Sequence, residues 1–236
     1  MNSVILPDDH EQSVTLMLQQ LTVGLPKNFS DSKAKVVIHV GAHTGEEVPF
    51  YLKYGFNRVC LIEANPDLVA RLRVDFENVP QVSIIHRAIS NVKGVAEFTI
   101  HQTEKGSVES SSLLELKRLG EIVPVFNSSR KVQVETSTLD ELANDLAIEL
   151  NNSLLCLDIQ GAELMALEGA TLLLEQVNAV ICEVNLIENY KGGALEHEIE
   201  ALLTDRGFFR HFTIYHELYE DDRCFPAWGE GLWIKK

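Results

Sequence analysis

The sequence predicts an α/β protein built on one doubly wound, mainly parallel sheet of seven strands, with an antiparallel last strand at the sheet edge. Short apolar runs typical of strands alternate along the chain with helical segments, which is the pattern of repeated strand–helix–strand units. The apolar runs lack polar alternation, so helices are expected to cover both faces of the sheet. The last two strand-like runs have no helix between them, which favours an antiparallel pair.

The first half of the chain begins with a helix and then enters the alternating pattern. Residues 11–21 carry apolar side chains at helical spacing, and turn residues follow them. We therefore predict an N-terminal helix and connector over 1–32, ahead of a single domain over 33–236. Pro66 suits the first position of a helix. The other elements of this half are predicted as strand 36–40, helix 46–54, strand 59–62, helix 66–76, strand 82–86 and strand 95–100.

The second half repeats the alternation after an irregular stretch over residues 102–130, which is rich in Ser, Glu and Lys. That stretch and the N-terminal helix are expected to cover part of the site. Thr138 followed by Glu141 predicts a capping box at the start of a helix. The remaining elements are predicted as strand 132–135, strand 154–159, helix 162–174, strand 177–184, helix 195–203, strand 208–215 and strand 231–236.

The charge balance narrows the classes of function. With 20 Lys and Arg against 35 Asp and Glu, the net charge is −15, whereas a nucleic-acid binder needs a basic face. No apolar run approaches the ~20 residues of a membrane helix, and the first dozen residues lack the basic, apolar character of a signal peptide. The cysteines have no metal-ligand spacing, so we expect free thiols in a cytoplasmic protein. They are Cys60, Cys156, Cys182 and Cys224.

A glycine loop and an acidic residue indicate a nucleoside ligand. Gly41 to Gly45 follow a strand directly and open a helix, where glycines permit close approach of a ligand to the backbone. Glu63 ends the next strand, 22 residues beyond Gly41, where it can accept hydrogen bonds from a ribose diol. His43 stands where a dinucleotide fingerprint has its second glycine, which favours S-adenosylmethionine over NAD. A tight turn beside a solvated glutamate is the alternative interpretation.

Three segments resemble the FkbM-type methyltransferases, which are S-adenosylmethionine-dependent enzymes that mostly O-methylate sugars and secondary metabolites. The segments are residues 38–46 (IHVGAHTGE), 62–66 (IEANP) and 157–163 (LDIQGAE), with further similarity at 87–90, 183–185 and 228–232. The resemblance covers residues 33–236. It implies a Rossmann-like class I methyltransferase fold for the predicted sheet, and S-adenosyl-L-methionine as the cofactor.

The resemblance also implies which residues form the site. This chain departs from the family pattern at His39, usually acidic, at His43, often asparagine, and at Gln160, often glutamate. The residues expected to bind the cofactor are His39, Gly41, Ala42, His43, Thr44, Gly45, Glu63, Ala64, Asn65, Arg87, Ala88 and Asp158. The residues expected at the reaction centre are Asp158, Glu163 and Glu183, and no metal ligand is assigned.

Asp158 is the strongest candidate for the chemistry, because ligands of open α/β sheets bind at the carboxyl ends of the strands. Methyl transfer to a hydroxyl needs alignment of the acceptor, and it gains from a base that takes the proton. We interpret Asp158 as that base, or as the group that accepts a hydrogen bond from the acceptor hydroxyl. The alternative is that Asp158 only caps the helix that starts near Ala162.

The predicted function is S-adenosylmethionine-dependent O-methylation of a small acceptor, either a sugar or a glycosylated or secondary metabolite. Tyr190 and Trp228 in loops suit stacking on a sugar, although core packing is an equal alternative. One rival function is an NAD(P)-linked Rossmann oxidoreductase, which the missing second glycine and the lack of a Tyr-x-x-x-Lys pair disfavour. The other is a non-catalytic protein that binds S-adenosylmethionine. The expected partner is a small molecule rather than a nucleic acid or a membrane, and no oligomeric state is predicted.

Overall fold

Strands and short helices alternate through the computed structural model, which describes residues 2–6, 10–30, 32, 34–103, 106–118, 126–146, 150, 152–220 and 223–236. The helices are α1 (His10–Gly24), α2 (Lys27–Ser30), α3 (Val48–Lys53), α4 (Pro66–Asp75), α5 (Leu139–Leu146), α6 (Glu163–Glu168), α7 (Thr171–Leu174) and α8 (Glu196–Asp205). The strands are β1 (Asn2–Leu6), β2 (Val36–Val40), β3 (Arg58–Glu63), β4 (Val82–His86), β5 (Ala88–Ile89), β6 (Gly94–Thr103), β7 (Phe126–Ser137), β8 (Ser153–Leu157), β9 (Ala179–Asn185), β10 (Phe208–Glu220) and β11 (Arg223–Lys235).

The main sheet has eight strands in the order β1-β10-β11-β9-β8-β2-β3-β4. Its pairs are parallel except those of β11, which runs antiparallel to both β9 and β10. This confirms the predicted fold class, a mainly parallel doubly wound sheet with an antiparallel last strand. The predicted edge position of the antiparallel pair was wrong. β11 lies inside the sheet, and β1 pairs with β10, as at Val4 and Ile214, and adds the eighth strand.

A second sheet of three strands, in the order β5-β7-β6, contains the strands predicted over 95–100 and 132–135. The segment 106–118 is attached to it, because Thr99 and Ser112 exchange backbone hydrogen bonds of 2.9 and 3.1 Å. The attachment brings residues 108–113 beside the loops that follow β2 and β8. Residues 119–125, in the middle of the predicted irregular stretch, lie outside the described part of the chain.

Strand β8 shows why its sequence is a continuous apolar run. Successive residues of a strand face opposite sides of the sheet. Leu154 and Cys156 pack in the cluster that contains Met17 of α1, whereas Leu155 and Leu157 pack in the cluster that contains residues of α6 and α8. Since all of β8 is buried, both faces of the sheet are covered at this strand, as the missing polar alternation predicted.

Two local predictions on the helices had different outcomes. The capping box is confirmed, since the Glu141 amide donates to Thr138 Oγ1 at 3.1 Å and the Thr138 amide donates to Glu141 Oε2 at 3.3 Å. The single helix predicted over 162–174 is divided at Gly169 into α6 and α7. A Cβ at Gly169 would lie 2.7 Å from the backbone oxygen of Ser90, so the glycine permits a close backbone approach there.

The described cysteines behave as predicted. Cys60, Cys156 and Cys182 are free and buried, and the side chain of Cys224 lies outside the described part of the structure. Burial raises the pKa of the Cys156 thiol to about 12, which leaves it protonated and unreactive. Separately, none of the described helices has the length and apolar character that crossing a bilayer would require.

Candidate active site

A cavity of about 470 Å³ opens at the carboxyl edge of the main sheet. Gly41 follows the end of β2, Glu63 ends β3, Asp158 follows β8, and Glu183 lies near the end of β9; all four line this cavity. Four neighbouring parallel strands therefore deliver the glycine loop and three carboxylates to one place. This is the edge at which open α/β sheets bind their ligands.

Most of the predicted site residues line the cavity. Of the expected cofactor-binding residues, the wall contains Gly41, Ala42, His43, Thr44, Glu63, Ala64, Asn65, Arg87, Ala88 and Asp158. Of the expected reaction-centre acids, it contains Asp158 and Glu183. His39, Gly45 and Glu163 lie behind this wall, where they can shape it without touching its contents.

The glycine loop is held by the backbone of its neighbours. The amides of Gly41 and Ala42 donate to the Ile62 carbonyl at 2.9 and 3.2 Å. Gly41 has φ +84°, and a Cβ at this position would lie 1.7 Å from the backbone oxygen of Asp158. Gly41 is therefore needed first for the close approach of two loops, and only then for the approach of any ligand.

Glu63 is a buried carboxylate that faces both the glycine loop and the cavity. Its Oε2 accepts from the His43 amide at 2.9 Å, and its Oε1 accepts from the Asn65 amide at 2.7 Å. Burial raises the pKa of Glu63 to about 7, although these amide hydrogen bonds act in the opposite direction. Because a carboxylate has about four lone-pair positions, Glu63 retains acceptor capacity for a ligand in the cavity.

His39 belongs to a hydrogen-bonded group behind the cavity wall. Its Nδ1 lies 3.2 Å from the Tyr51 hydroxyl and 3.9 Å from Glu47 Oε2. His10, the first residue of α1, reaches the same carboxylate, with 3.1 Å between its Nε2 and Glu47 Oε1. This pairing raises the pKa of His10 to about 9, and the neighbouring histidines lower the pKa of Glu47 to about 2 despite its burial.

His10 and Glu47 both line the cavity, and sequence reasoning missed both. No local pattern marks His10, which is 29 residues away from His39 in the chain. The expectation that the N-terminal helix covers part of the site agrees with this position of the start of α1.

We predict a pH-dependent contribution of the His10–Glu47 pair to stability. The histidine pKa is raised from 6.5 to about 9, so its contribution is complete below pH 6.5 and is lost as the pH rises through 9. His10 is half exposed, so the pair is worth less than ~1 kcal/mol. His10→Gln should lower the melting temperature by ~1–3 °C at pH 6 and by nothing at pH 10. His197→Gln, at an exposed position on α8, is the control; an equal loss at both pH values would contradict the pairing.

Asp158 and Glu183 are joined by one amide group. Gln160 Nε2 donates to Asp158 Oδ1 and to Glu183 Oε2, each at 2.7 Å, and the Tyr190 hydroxyl donates to Gln160 Oε1 at 2.7 Å. Gln160 has a positive φ of 57°, and its carbonyl accepts from Ser112 Oγ at 2.8 Å. The residue is therefore held from several sides, and the two carboxylates are held with it.

Glu163 has a different role from the other two acids. It is fully buried, and its Oε1 accepts from the amides of Ile159 and Gly161 at 2.9 and 3.2 Å. These bonds hold the turn that positions Asp158. Burial raises the pKa of Glu163 to about 7, and burial with the charge of Asp158 raises the pKa of Glu183 well above its ordinary value.

The side chain of Asp158 does not cap helix α6. The N-cap residue is Ala162, and no side-chain capping bond is present there. Asp158 is instead exposed to the cavity, with its Oδ1 bonded to Gln160. Of the two interpretations of Asp158, the geometry supports a role toward the contents of the cavity.

Two aromatic residues from the second half of the chain contribute to the cavity wall. Trp228 and Tyr190 both border the cavity, but Tyr190 is 1% exposed, which favours core packing for its ring. Trp228 packs on His216 with ring centroids 5.8 Å apart and ring planes tilted by 32°. His216 Nε2 lies 2.9 Å from Glu230 Oε2, and Glu230 also lines the cavity. Lys191, next to Tyr190, instead forms an ion pair with Glu115.

The cavity wall is strongly acidic. Among the described residues its single arginine is Arg87, which is paired with Glu135, and it contains no lysine. The carboxylates in the wall are Glu46, Glu47, Glu63, Glu109, Asp158, Glu183 and Glu230. Such a wall suits cationic or neutral ligands better than phosphates.

The comparisons with known proteins agree with this fold. The chain matches the family model of the methyltransferase FkbM domain over residues 39–209. The solved FkbM methyltransferase of Methylobacillus flagellatus KT has a TM-score of 0.50 at 13% identity, over 86% of this chain and 44% of that one. Magnesium protoporphyrin IX methyltransferase (ChlM) from Synechocystis PCC 6803, solved with bound SAM, has a TM-score of 0.50 at 11% identity, over 96% and 80%. No curated protein matches the sequence.

The sheet order is that of the class I methyltransferase fold. The chain belongs to the FkbM methyltransferase family. This confirms the predicted enzyme class, and it confirms S-adenosylmethionine as the cofactor. The chain spans less than half the length of the M. flagellatus protein, so that likeness carries the fold alone.

Proposed function

We propose that this protein transfers the methyl group of S-adenosylmethionine to a hydroxyl of a sugar or of a glycosylated or secondary metabolite. One observation carries the proposal. The Asp158 carboxylate is exposed to a cavity that the glycine loop, Glu63 and the half-buried Trp228 also line. A proton-accepting carboxylate near an aromatic side chain suits a polyhydroxylated acceptor.

The residues present fit the cofactor. S-adenosylmethionine, when bound, supplies an electrophilic methyl group on a positively charged sulfur, and an acidic wall favours such a cation. Glu63 would hold the ribose hydroxyls with its remaining lone pairs. The glycine loop, with Ala42 to Thr44 in the wall, would hold the amino-acid end, and the apolar Leu68 and Ile89 of the same wall would contact the base.

A substitution at Glu63 tests this placement. Glu63→Gln keeps the volume but removes the charge, so hydrogen bonds worth ~1.5–3 kcal/mol are weakened. The affinity for S-adenosylhomocysteine should fall by ~10–100-fold, as measured by calorimetry. Glu77→Gln, at an exposed position after α4, should bind as the parent does. Parental affinity in folded Glu63→Gln would remove Glu63 from the cofactor site.

The acceptor is proposed from the other part of the wall. Aromatic faces stack on the apolar faces of sugars, and carboxylates accept hydrogen bonds from hydroxyls. The single arginine of the described wall is already paired with Glu135, so a phosphate-bearing acceptor such as a nucleic acid would find no free cation there. We therefore propose a small neutral or cationic acceptor, and we propose the cytoplasm as its location, since the described thiols are free.

Catalysis is proposed to depend on Asp158. A hydroxyl is a poor nucleophile until its proton is accepted or polarised. Asp158 would take this proton, while Gln160 holds the carboxylate in place through the 2.7 Å bond to its Oδ1. Glu183 would help to hold Gln160 in place, because its Oε2 accepts from the same Nε2.

Turnover with a panel of acceptors tests the function. The protein should convert S-adenosylmethionine to S-adenosylhomocysteine with at least one hydroxylated sugar or glycoside, and the product should gain one methyl group by mass spectrometry. The same sugars with every hydroxyl blocked are the control. Calorimetric binding of NAD in place of S-adenosylhomocysteine would support the oxidoreductase rival. Tight S-adenosylhomocysteine binding without turnover across the panel would support the non-catalytic rival.

A further inference from the structure

Three carboxylates from three separate elements converge at the wall of the cavity. Asp158 follows β8, Glu163 begins α6, and Glu183 lies in β9; one potential ligand atom from each lies within 4.8 Å of the others. No lysine or arginine among the described residues pairs with any of the three. Three carboxylates this close disfavour one another's charge, and a bound cation would relieve that repulsion.

An independent feature of Glu163 points to a ligand. Its Oε1 is tied to two backbone amides, which fixes the carboxylate, while its Oε2 is fully buried and has no hydrogen-bond partner among the described residues. A buried acceptor without a partner is rare in folded proteins and calls for a specific explanation. Because the same carboxylate belongs to the acidic cluster, an ion bound by the cluster would supply the missing partner.

We propose that Asp158, Glu163 and Glu183 form a binding site for a divalent cation of the Mg²⁺ or Mn²⁺ class. Carboxylate oxygens are the ligands that these hard cations prefer, and Mg²⁺ commonly keeps several waters beside a few protein carboxylates. Asp158 and Glu183 line the cavity, so the open coordination positions would face its contents. If one oxygen of Asp158 binds the ion, the second remains for the acceptor's proton.

The site gives a reason for acceptor choice, and this part of the inference rests on the proposed function. A cation at this place would lower the pKa of an acceptor hydroxyl and would orient it toward Asp158. It would bind acceptors with two neighbouring hydroxyls better than acceptors with one. A vicinal diol is thus the substrate feature that the site would select.

In an alternative arrangement, Gln160 and a shared proton replace the cation. Gln160 Nε2 donates to both Asp158 and Glu183, so the amide with a shared proton could satisfy these two acids without an ion. For a cation to bind, the amide must turn or withdraw. A carboxylate at position 160 would add a ligand instead of a donor, so Gln160→Glu should tighten cation binding, whereas the alternative predicts no cation binding in either protein.

The test is titration of the full chain with MnCl₂, without cofactor or acceptor, followed by calorimetry and by the electron paramagnetic resonance signal of free Mn²⁺. We expect one saturable site that MgCl₂ displaces. Glu183→Gln should weaken Mn²⁺ binding by ~10–100-fold or more, and Gln160→Glu should tighten it by about tenfold. Glu77→Gln is the matched control and should bind as the parent does.

A replacement variant is available in case Glu183→Gln is unstable. If Glu183→Gln does not fold, as judged by its melting curve, Asp158→Asn takes its place, because the Asp158 side chain is exposed. Absence of saturable Mn²⁺ binding, or equal binding by parent and acid variants, would overturn the cation site. Because the titration needs no methyl transfer, that outcome would leave the proposed function standing, and a failed acceptor panel would leave the cation site standing.

Discussion

Replacing Asp158 with asparagine is expected to lower methyl transfer by ~10²-fold or more, while S-adenosylhomocysteine affinity stays within a few-fold of the parent. Asparagine keeps the size of the side chain, and its carbonyl can still accept from Gln160 Nε2. It cannot take a proton from the acceptor, and a positioned base contributes ~10²–10⁴ in rate. The measurement is single-turnover methyl transfer with the acceptor found in the panel.

Loss of a helix cap could also lower the activity of this variant, but the structure argues against it. Since Ala162 is the N-cap of α6 and Asp158 makes no capping bond there, Asp158→Asn should not destabilise the helix. Asp205→Asn, at the exposed end of α8, is the matched control for loss of an acidic charge. Turnover by Asp158→Asn near the parental rate would leave alignment alone as the source of catalysis.

Gly41→Ala is expected to cost at least ~3 kcal/mol of unfolding free energy and to lower the melting temperature by ~6–12 °C or more. A non-glycine residue at φ +84° is strained, and the new Cβ would lie 1.7 Å from the Asp158 backbone oxygen. Backbone atoms cannot move aside as a flexible side chain can. A larger residue at Gly41 should therefore damage the fold before it blocks the cofactor.

Gly207 is the control for this prediction, because it also has φ +84° but has no atom within 4 Å of a new Cβ. Gly207→Ala should therefore cost only the backbone strain, roughly 1 kcal/mol. Chemical denaturation of the two variants measures the difference. Equal losses would mean that the approach of the Asp158 carbonyl adds nothing.

The sequence by itself determined the fold class and the position of the site. Short, mainly apolar runs such as 36–40 and 154–159 predict strands covered on both faces, and their alternation with helices predicts a parallel sheet. The carboxyl ends of such strands meet at one edge of the sheet, so the sequence predicts that Gly41, Glu63 and Asp158 lie close together. In the structure, all three line one cavity. These are consequences of local periodicity and of chain order.

Only the tertiary structure decided what each side chain does there. His10 reaches the cavity because α1 packs against the main sheet, a long-range contact that no local pattern announces. Gln160 joins Asp158 to Glu183 because β8 and β9 are neighbours and the turn takes a positive φ. Burial, hydrogen-bond partners and the close approach of two loops depend on residues distant in sequence, so these properties arise only when the chain is folded.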